Sequence, residues 1–255
     1  MQLKTYELDR ERIEIVNLGD VHYGNINCDT DLLYNNISYI IENPNVYWVS
    51  TGDIFEVAIR GSKVADVHES MSLRQEMDIL GEMLQPIAHK CLGIVGSNHS
   101  DRIERETSLN IDEMFCRLYN IPYLGVTGRF RVKLGGVGYY ICMHHGVGGG
   151  RKKGTGIDKA TELAYMHPGY DIYLEGHTHK PNWTFETFRE LDRKHLSEIE
   201  RVSYFATTGS YLKYGGGYAE KKKLHPAVLG SSVIKLRAGN SWSNKYVGFE
   251  FLQGG

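Results

Sequence analysis

Cysteine is scarce in this chain. Four of its 255 residues are cysteines (Cys28, Cys91, Cys116 and Cys142), scattered and without a C-x-x-C pair. That excludes a disulfide-stapled scaffold, and three of them lie in or beside expected strands or helices, where reduced, buried thiols belong. An excess of one charge is also lacking, with 29 Lys and Arg against 31 Asp and Glu. No overall basic field advertises nucleic acid, which leaves only a local patch for such a role. Long apolar runs are missing too. Residues 1–12 are polar and charged, with no apolar signal core, and no stretch approaches the length of a membrane span. These absences predict a cytoplasmic protein with no membrane partner. There is no repeat and no low-complexity linker, so 255 residues read as a single domain able to bury a substantial core.

What is present is histidine in particular places. Ile13 to Leu18 is an apolar run with the character of a buried strand, and it ends in Gly19-Asp20-Val21-His22. Asp29-Thr30-Asp31 then caps a helix whose apolar residues, Leu32 to Ile41, follow helical spacing until Asn43-Pro44 stops it. Val46 to Ser50 is a second strand, ending at Gly52-Asp53. A polar loop from Glu56 to Asp66 leads to the longest expected helix, about 67–89, with a stripe of Leu73, Met77, Leu80 and Ile87. Cys91 to Val95 is a third strand, ending at Gly96-Ser97-Asn98-His99. Thr107 or Ser108 is the expected cap of a helix carrying Ile111, Met114, Phe115 and Leu118.

The second half continues the pattern. Phe130–Leu134 and Tyr139–Met143 flank Gly135-Gly136-Val137-Gly138, a hairpin signal, and the second arm runs into His144-His145. A glycine-rich segment and a helix, Lys159 to Met166, precede a strand, Tyr170 to Leu174, that ends at Glu175-Gly176-His177-Thr178-His179. Residues 183–208 are expected to form a β-hairpin with a charged tip, and Lys245–Leu252 a last strand.

Five strand ends therefore deliver Asp20/His22, Asp53, Asn98/His99, His144 and His177/His179, and six of the 11 histidines fall in these loops. Each fragment alone is weak. As an ordered set the series Gly-Asp-x-His, Gly-Asp, Gly-x-Asn-His, His-x-Gly, Gly-His-x-His resembles the calcineurin-like metallophosphoesterase superfamily, over residues 19–179. The resemblance implies an α/β fold, a four-layer sandwich of two mixed β-sheets flanked by helices. It also implies a dinuclear-metal-dependent phosphoester hydrolase. Such chemistry needs neutralised phosphoryl oxygens and a nucleophile ionised at neutral pH, which two divalent ions supply.

By that resemblance Asp53 bridges the two metals. Asp20, His22 and His179 complete one site, and Asn98, His144 and His177 the other. Mixed nitrogen and oxygen donors favour Mn, Fe, Zn or Ni, with Mn the leading expectation. His144 and His145 compete for one position, and the family pattern favours His144. His99 is expected to face the substrate as acid or charge stabiliser, with Glu56 as the carboxylate that orients it. Glu56 stands where the family commonly has Asp, and Gly-Ser-Asn-His is one residue longer than the usual Gly-Asn-His.

The substrate is less legible. Arg151 and Lys152, in the glycine-rich segment, suit a phosphate, as does Arg102, although Arg102 and Arg105 have acidic neighbours with which to pair. Tyr211, Tyr214 and Tyr218, among glycines, suit a rim for a base to stack on. A phosphodiesterase acting on a nucleotide-like substrate is the first expectation. The segment Gly-Asp-Ile-Phe-Glu is similar to the DNA-repair exonuclease branch of the superfamily, so a metal-dependent nuclease acting on nucleic acid is the second. A metal-bound scaffold without turnover is the third.

Overall fold

The computed structural model describes residues 3–59, 71–148, 154–214, 226, 228–240 and 245–253. Two β-sheets carry the fold. The first has six strands: β1 (Lys4–Leu8), β5 (Thr127–Leu134), β6 (Val137–His144), β7 (Ile172–Glu175), β9 (Ser197–Thr207) and β8 (Asn182–Asp192), in that spatial order. The second has five: β11 (Val247–Leu252), β10 (Ser231–Arg237), β2 (Arg12–Asn17), β3 (Val46–Ser50) and β4 (Cys91–Ile94). Both sheets mix parallel and antiparallel pairs. β2, β3 and β4 run parallel in one, and β6, β7 and β9 in the other. Their carboxyl ends share one rim, where ligand-bearing loops of α/β proteins collect.

Three apolar layers separate four structural layers. Side chains of α1 (Thr30–Glu42), α2 (Leu73–Leu84) and α4 (Ile111–Leu118), such as Leu33, Leu80 and Phe115, pack on Val16, Trp48 and Ile94 of the five-stranded sheet. Ile13, Ile15 and Val49 meet Phe130, Ile141 and Met143 between the sheets. Ala160 and Leu163 of α5 (Thr155–Met166) cover Cys142, Tyr173 and Phe205 on the outer face of the six-stranded sheet. Period-two alternation sorts β6 between two of these layers: Ile141 and Met143 point inward, while Cys142 points to α5. This is the expected sandwich of two mixed sheets flanked by helices.

Several elements differ from the sequence expectation. The structure adds β1, β10 and α3 (Asp101–Thr107). α2 begins at Leu73 rather than near residue 67, because Ser72 caps it and Gln75 returns the capping box. It gives way to a 3₁₀ turn at Gln85–Lys90, where Pro86 removes a backbone donor. Asn110, not Thr107 or Ser108, caps α4 through a bond from Glu113 N. The hairpin β8–β9 is present with its charged tip. The four cysteines are free, three of them buried.

Candidate metal centre

The loops after β2 and β3 stay zipped beyond the strands. Asp20 N donates to Gly52 O and His22 N to Asp53 O, both at 2.9 Å, and Tyr23 pairs with Phe55 as an isolated bridge. Parallel register therefore continues into the loops and fixes Asp20, His22 and Asp53 relative to one another. Of nine described non-glycine residues with positive φ, five are Asp20, His22, Asp53, His177 and His179. Asp and His tolerate the left-handed region better than most residues, but its repeated use at one rim marks backbone bent to aim side chains. The glycines of the motifs have a steric reason. Gly52 has φ +96°, and a Cβ there would come within 3.0 Å of His145 Nδ1. A Cβ on Gly176 would stand 3.0 Å from Asp20 Oδ2.

These loops gather two groups of donors. In the first, His22 Nε2 lies 3.1 Å from His179 Nε2, and His179 Nε2 lies 3.8 Å from Asp20 Oδ1. In the second, Asn98 Oδ1 lies 2.6 Å from His145 Nε2 and 3.0 Å from His177 Nδ1, and those two ring nitrogens are 3.2 Å apart. Asp53 stands between the groups, its Oδ2 3.2 Å from His145 Nε2 and 3.9 Å from His22 Nε2. His99 faces the same carboxylate, with Nε2 3.8 Å from Oδ2.

The residue after Met143 corrects one expectation. His145, not His144, enters the cluster. His144 accepts a hydrogen bond from Gly146 N at its Nδ1 and is only partly buried, on the α5 side. Strand parity is the reason: positions 141 and 143 point between the sheets, and 145 follows them. The alternation was visible in the sequence and is a better guide here than the family pattern.

Each inward ring nitrogen is set by what its opposite nitrogen does. His145 Nδ1 meets Thr51 O at 2.8 Å, and His99 Nδ1 meets Glu56 O at 2.7 Å. These contacts at Nδ1 turn Nε2 of each ring toward Asp53. His22 Nδ1 is paired at 3.3 Å with the Glu56 carboxylate. This revises the role of Glu56: its carboxylate backs His22 and is 4.0 Å from His99, which its backbone carbonyl orients instead. The longer side chain folds under His22 rather than across to His99. The extra serine of Gly-Ser-Asn-His is tied down by Asp112 on α4, which accepts from Ser97 N at 3.1 Å and from Ser100 Oγ at 2.6 Å. Asn98 reaches the cluster regardless. Asp112 had no signal in the sequence beyond its place beside Ile111.

Burial dominates the electrostatics. It pushes Asp20 up to about 7 and His99 down to about 4, and it holds His179 well below the ordinary histidine range. Burial also opposes ionisation of Asp53, yet His145 and His99 beside it outweigh that and hold it well below the usual carboxylate range. Burial disfavours charge on His145, but Asp53 and Asp20 overcome it and push the ring up to about 9.

The donor set suits divalent cations. Asp20 Oδ2 is buried without a hydrogen-bond partner. Donors held about 2.0–2.2 Å from a common ion stand roughly 3 Å or slightly more from one another, the spacing of the His22–His179 and His145–His177 pairs. Of the expected substrate contacts, Arg102 spends one guanidinium nitrogen on Glu56 O and Val57 O, each at 3.1 Å, bracing the loop behind His22. Arg151 and Lys152 lie outside the described residues, as does Tyr218. Tyr211 is not a rim residue: it is fully buried, bonded to Asn36 and Ser231.

No protein-family model matches the sequence, and no curated protein matches it. Among solved structures, Vps29 of Chaetomium thermophilum aligns over 94% of this chain and 96% of its own, at 15% identity and a TM-score of 0.39. The NAD nucleotidase NadN of Haemophilus influenzae aligns over 94% of this chain and 49% of its own, at 9% identity and a TM-score of 0.40. A protein serine/threonine phosphatase of Saccharomyces cerevisiae, with similarity to human PP5, aligns over 99% of this chain and 84% of its own, at 10% identity and a TM-score of 0.39. Among the described residues no helix is long and apolar enough to cross a membrane.

Proposed function

We propose that this chain is a dinuclear-metal phosphoester hydrolase, a phosphodiesterase acting on a nucleotide-like ester. The observation that carries the reading is Asp53: one ionised oxygen lies within 4 Å of an imidazole from each donor group. A carboxylate so placed could serve a cation in each group. Asp20, His22 and His179 would hold one, and Asn98, His145 and His177 the other. When bound, a pair of divalent ions supplies charge neutralisation for the phosphoryl group and a nucleophile ionised at neutral pH. The mixed nitrogen and oxygen donors suit Mn, Fe, Zn or Ni, and Mn is the first ion to test.

The protein's own part is orientation and proton control. Thr51 O and Glu56 select the ring faces that His145 and His22 present. His99, side chain 9% exposed and neutral because it is buried, faces the edge of the cluster with Nε2. It donates a hydrogen bond there only as the Nε2–H tautomer, whereas the bond to Glu56 O favours Nδ1–H. In the resting geometry Nε2 of His99 therefore presents its lone pair, and a role as general acid would require that nitrogen to be protonated first.

The test is hydrolysis of bis-p-nitrophenyl phosphate and p-nitrophenyl phosphate with Mn²⁺, alongside metal analysis of the protein as purified. Expected are turnover of the diester, its loss on chelation, and its loss in Asp53→Asn. Turnover indifferent to both would sink the reading. Metal at two ions per chain with no ester hydrolysed would instead support a scaffold.

A further inference from the structure

A cavity opens on the same rim as the donor groups. This open cavity has a volume of about 350 Å³ where the space between the sheets reaches the surface beside β8 and β11. Trp183 of β8 lies flat on Phe249 of β11, with ring centroids 5.6 Å apart and planes 14° from parallel. Trp183 is 55% exposed, so one face of a large ring is open to solvent. Phe251 adds a second aromatic wall. Opposite stands Ser232 of β10. Its neighbours by parity, Ile234 and Leu236, belong to the layer between the sheets, so Ser232 faces that layer too, at its open end. It is 6% exposed, and its buried Oγ has no hydrogen-bond partner. A buried hydroxyl left unpaired in an apolar wall is costly unless something completes it.

The chemistry of the walls restricts the occupant. Among the described residues no Lys or Arg lines the cavity, and its one acidic residue, Glu250, is paired with Lys235. The described walls do not suit a phosphate. They suit an uncharged flat ring with a polar edge: the face stacks on Trp183, and the edge completes Ser232. Position supplies the link to the centre. The cavity lies two strands from β7 in one sheet and two from β2 in the other, ~10 Å along the rim at ~4.8 Å per strand. Pro181 and Asn182, which line it, follow His179 by two and three residues.

We propose that this cavity holds the nucleobase of the ester whose phosphate reaches the metal centre, with Trp183 as the stacking platform and Ser232 as the hydrogen-bonding partner of the base edge. The proposal rests on the phosphodiesterase reading for the phosphate and on independent side chains for the base. Trp183 and Ser232 replace the buried Tyr211 as the residues that choose the substrate.

Two measurements test it. Saturation-transfer NMR on metal-free protein with adenosine asks about the base alone: a signal is expected, retained in Trp183→Phe and lost in Trp183→Leu. No signal with the parent protein overturns the proposal, as does benzyl alcohol giving the signal that adenosine does not. Kinetics then compare thymidine 5′-(p-nitrophenyl) phosphate with methyl p-nitrophenyl phosphate, which share a leaving group and differ in having or lacking a nucleoside. The ratio of their kcat/KM values is expected to fall on the order of ten- to a hundredfold in Trp183→Leu, the loss that one base–aromatic stack carries, and to recover in Trp183→Phe. An unchanged ratio overturns the proposal. If neither ester is hydrolysed by the parent protein, the phosphodiesterase reading fails, while the adenosine signal still decides the cavity.

Discussion

The two donor groups use similar side chains but are finished to different degrees. The second is closed on itself: Asn98 Oδ1 contacts both His145 and His177, and His145 rests on the neutral carbonyl of Thr51. The first is open. Asp20 Oδ2 has no partner, burial pushes that carboxyl toward neutrality, and a second carboxylate, Glu56, stands behind His22. A group that keeps an unpartnered buried carboxylate oxygen, with a second carboxylate behind its imidazole, is built to bind a cation tightly, whereas a group whose donors already contact one another must break those contacts first. The comparison predicts sequential loading, with the Asp20 group filling before the Asn98 group.

The harshest way to break this picture is to remove what the groups share. Asp53→Asn is expected to lower turnover at least 10²-fold, the order seen when a charge-stabilising group is lost, and to leave fewer than two Mn²⁺ per chain by metal analysis. Exchanging the distinguishing side chains comes next. Asp20→Asn is expected to abolish the tighter step in a calorimetric Mn²⁺ titration, while Asn98→Asp brings the two steps together. A titration in which Asp20→Asn spares the tighter step would reverse the assignment.

Glu56→Gln isolates the backing carboxylate. The tighter step is expected to weaken 10–100-fold, the usual cost of losing such a partner, with the weaker step unmoved. His144→Ala serves as the contrasting variant and should alter neither step, whereas His145→Ala should remove the weaker one. The groups should also separate in pH. A proton on a donor excludes the ion, so both affinities rise with pH, by up to tenfold per unit below the controlling value. In the Asp20 group the buried carboxyl, pushed up to about 7, and the raised His22 ring both compete with the ion, and in the other group His145 carries the rise to about pH 9. Two steps with a common plateau would show that they do not titrate separately.

Much of this was written in the sequence, for traceable reasons. Apolar runs ending in glycine-acid or glycine-histidine pairs revealed five strand ends, because strands buried on both faces are continuously apolar and their loops are not. β10 was missed although its SSVIKLR is strand-like, since it joins no motif, and β1 because its exposed edge residues alternate weakly. The choice between His144 and His145 needed only parity from Ile141. The work of Asp112 and the division of Glu56 between a backbone and a side-chain role depend on contacts across 12 to 43 residues of chain, which no local pattern encodes. The cavity at Trp183 depends on where two sheet edges end, and β11 meets β8 only in three dimensions.

Each donor group draws on both sheets. Asp20 and His22 follow β2 and His179 follows β7, while Asn98 follows β4, His145 follows β6 and His177 follows β7. An ion in the first group would join residues 157 positions apart in the chain. Metal loading would thus also be a rivet through the open edge of the sandwich, with the stabilisation expected when a clip closes a long loop. Stripping the ions should loosen that edge first, and amide exchange should quicken at the carboxyl ends of β2 and β7 while the strand centres stay protected.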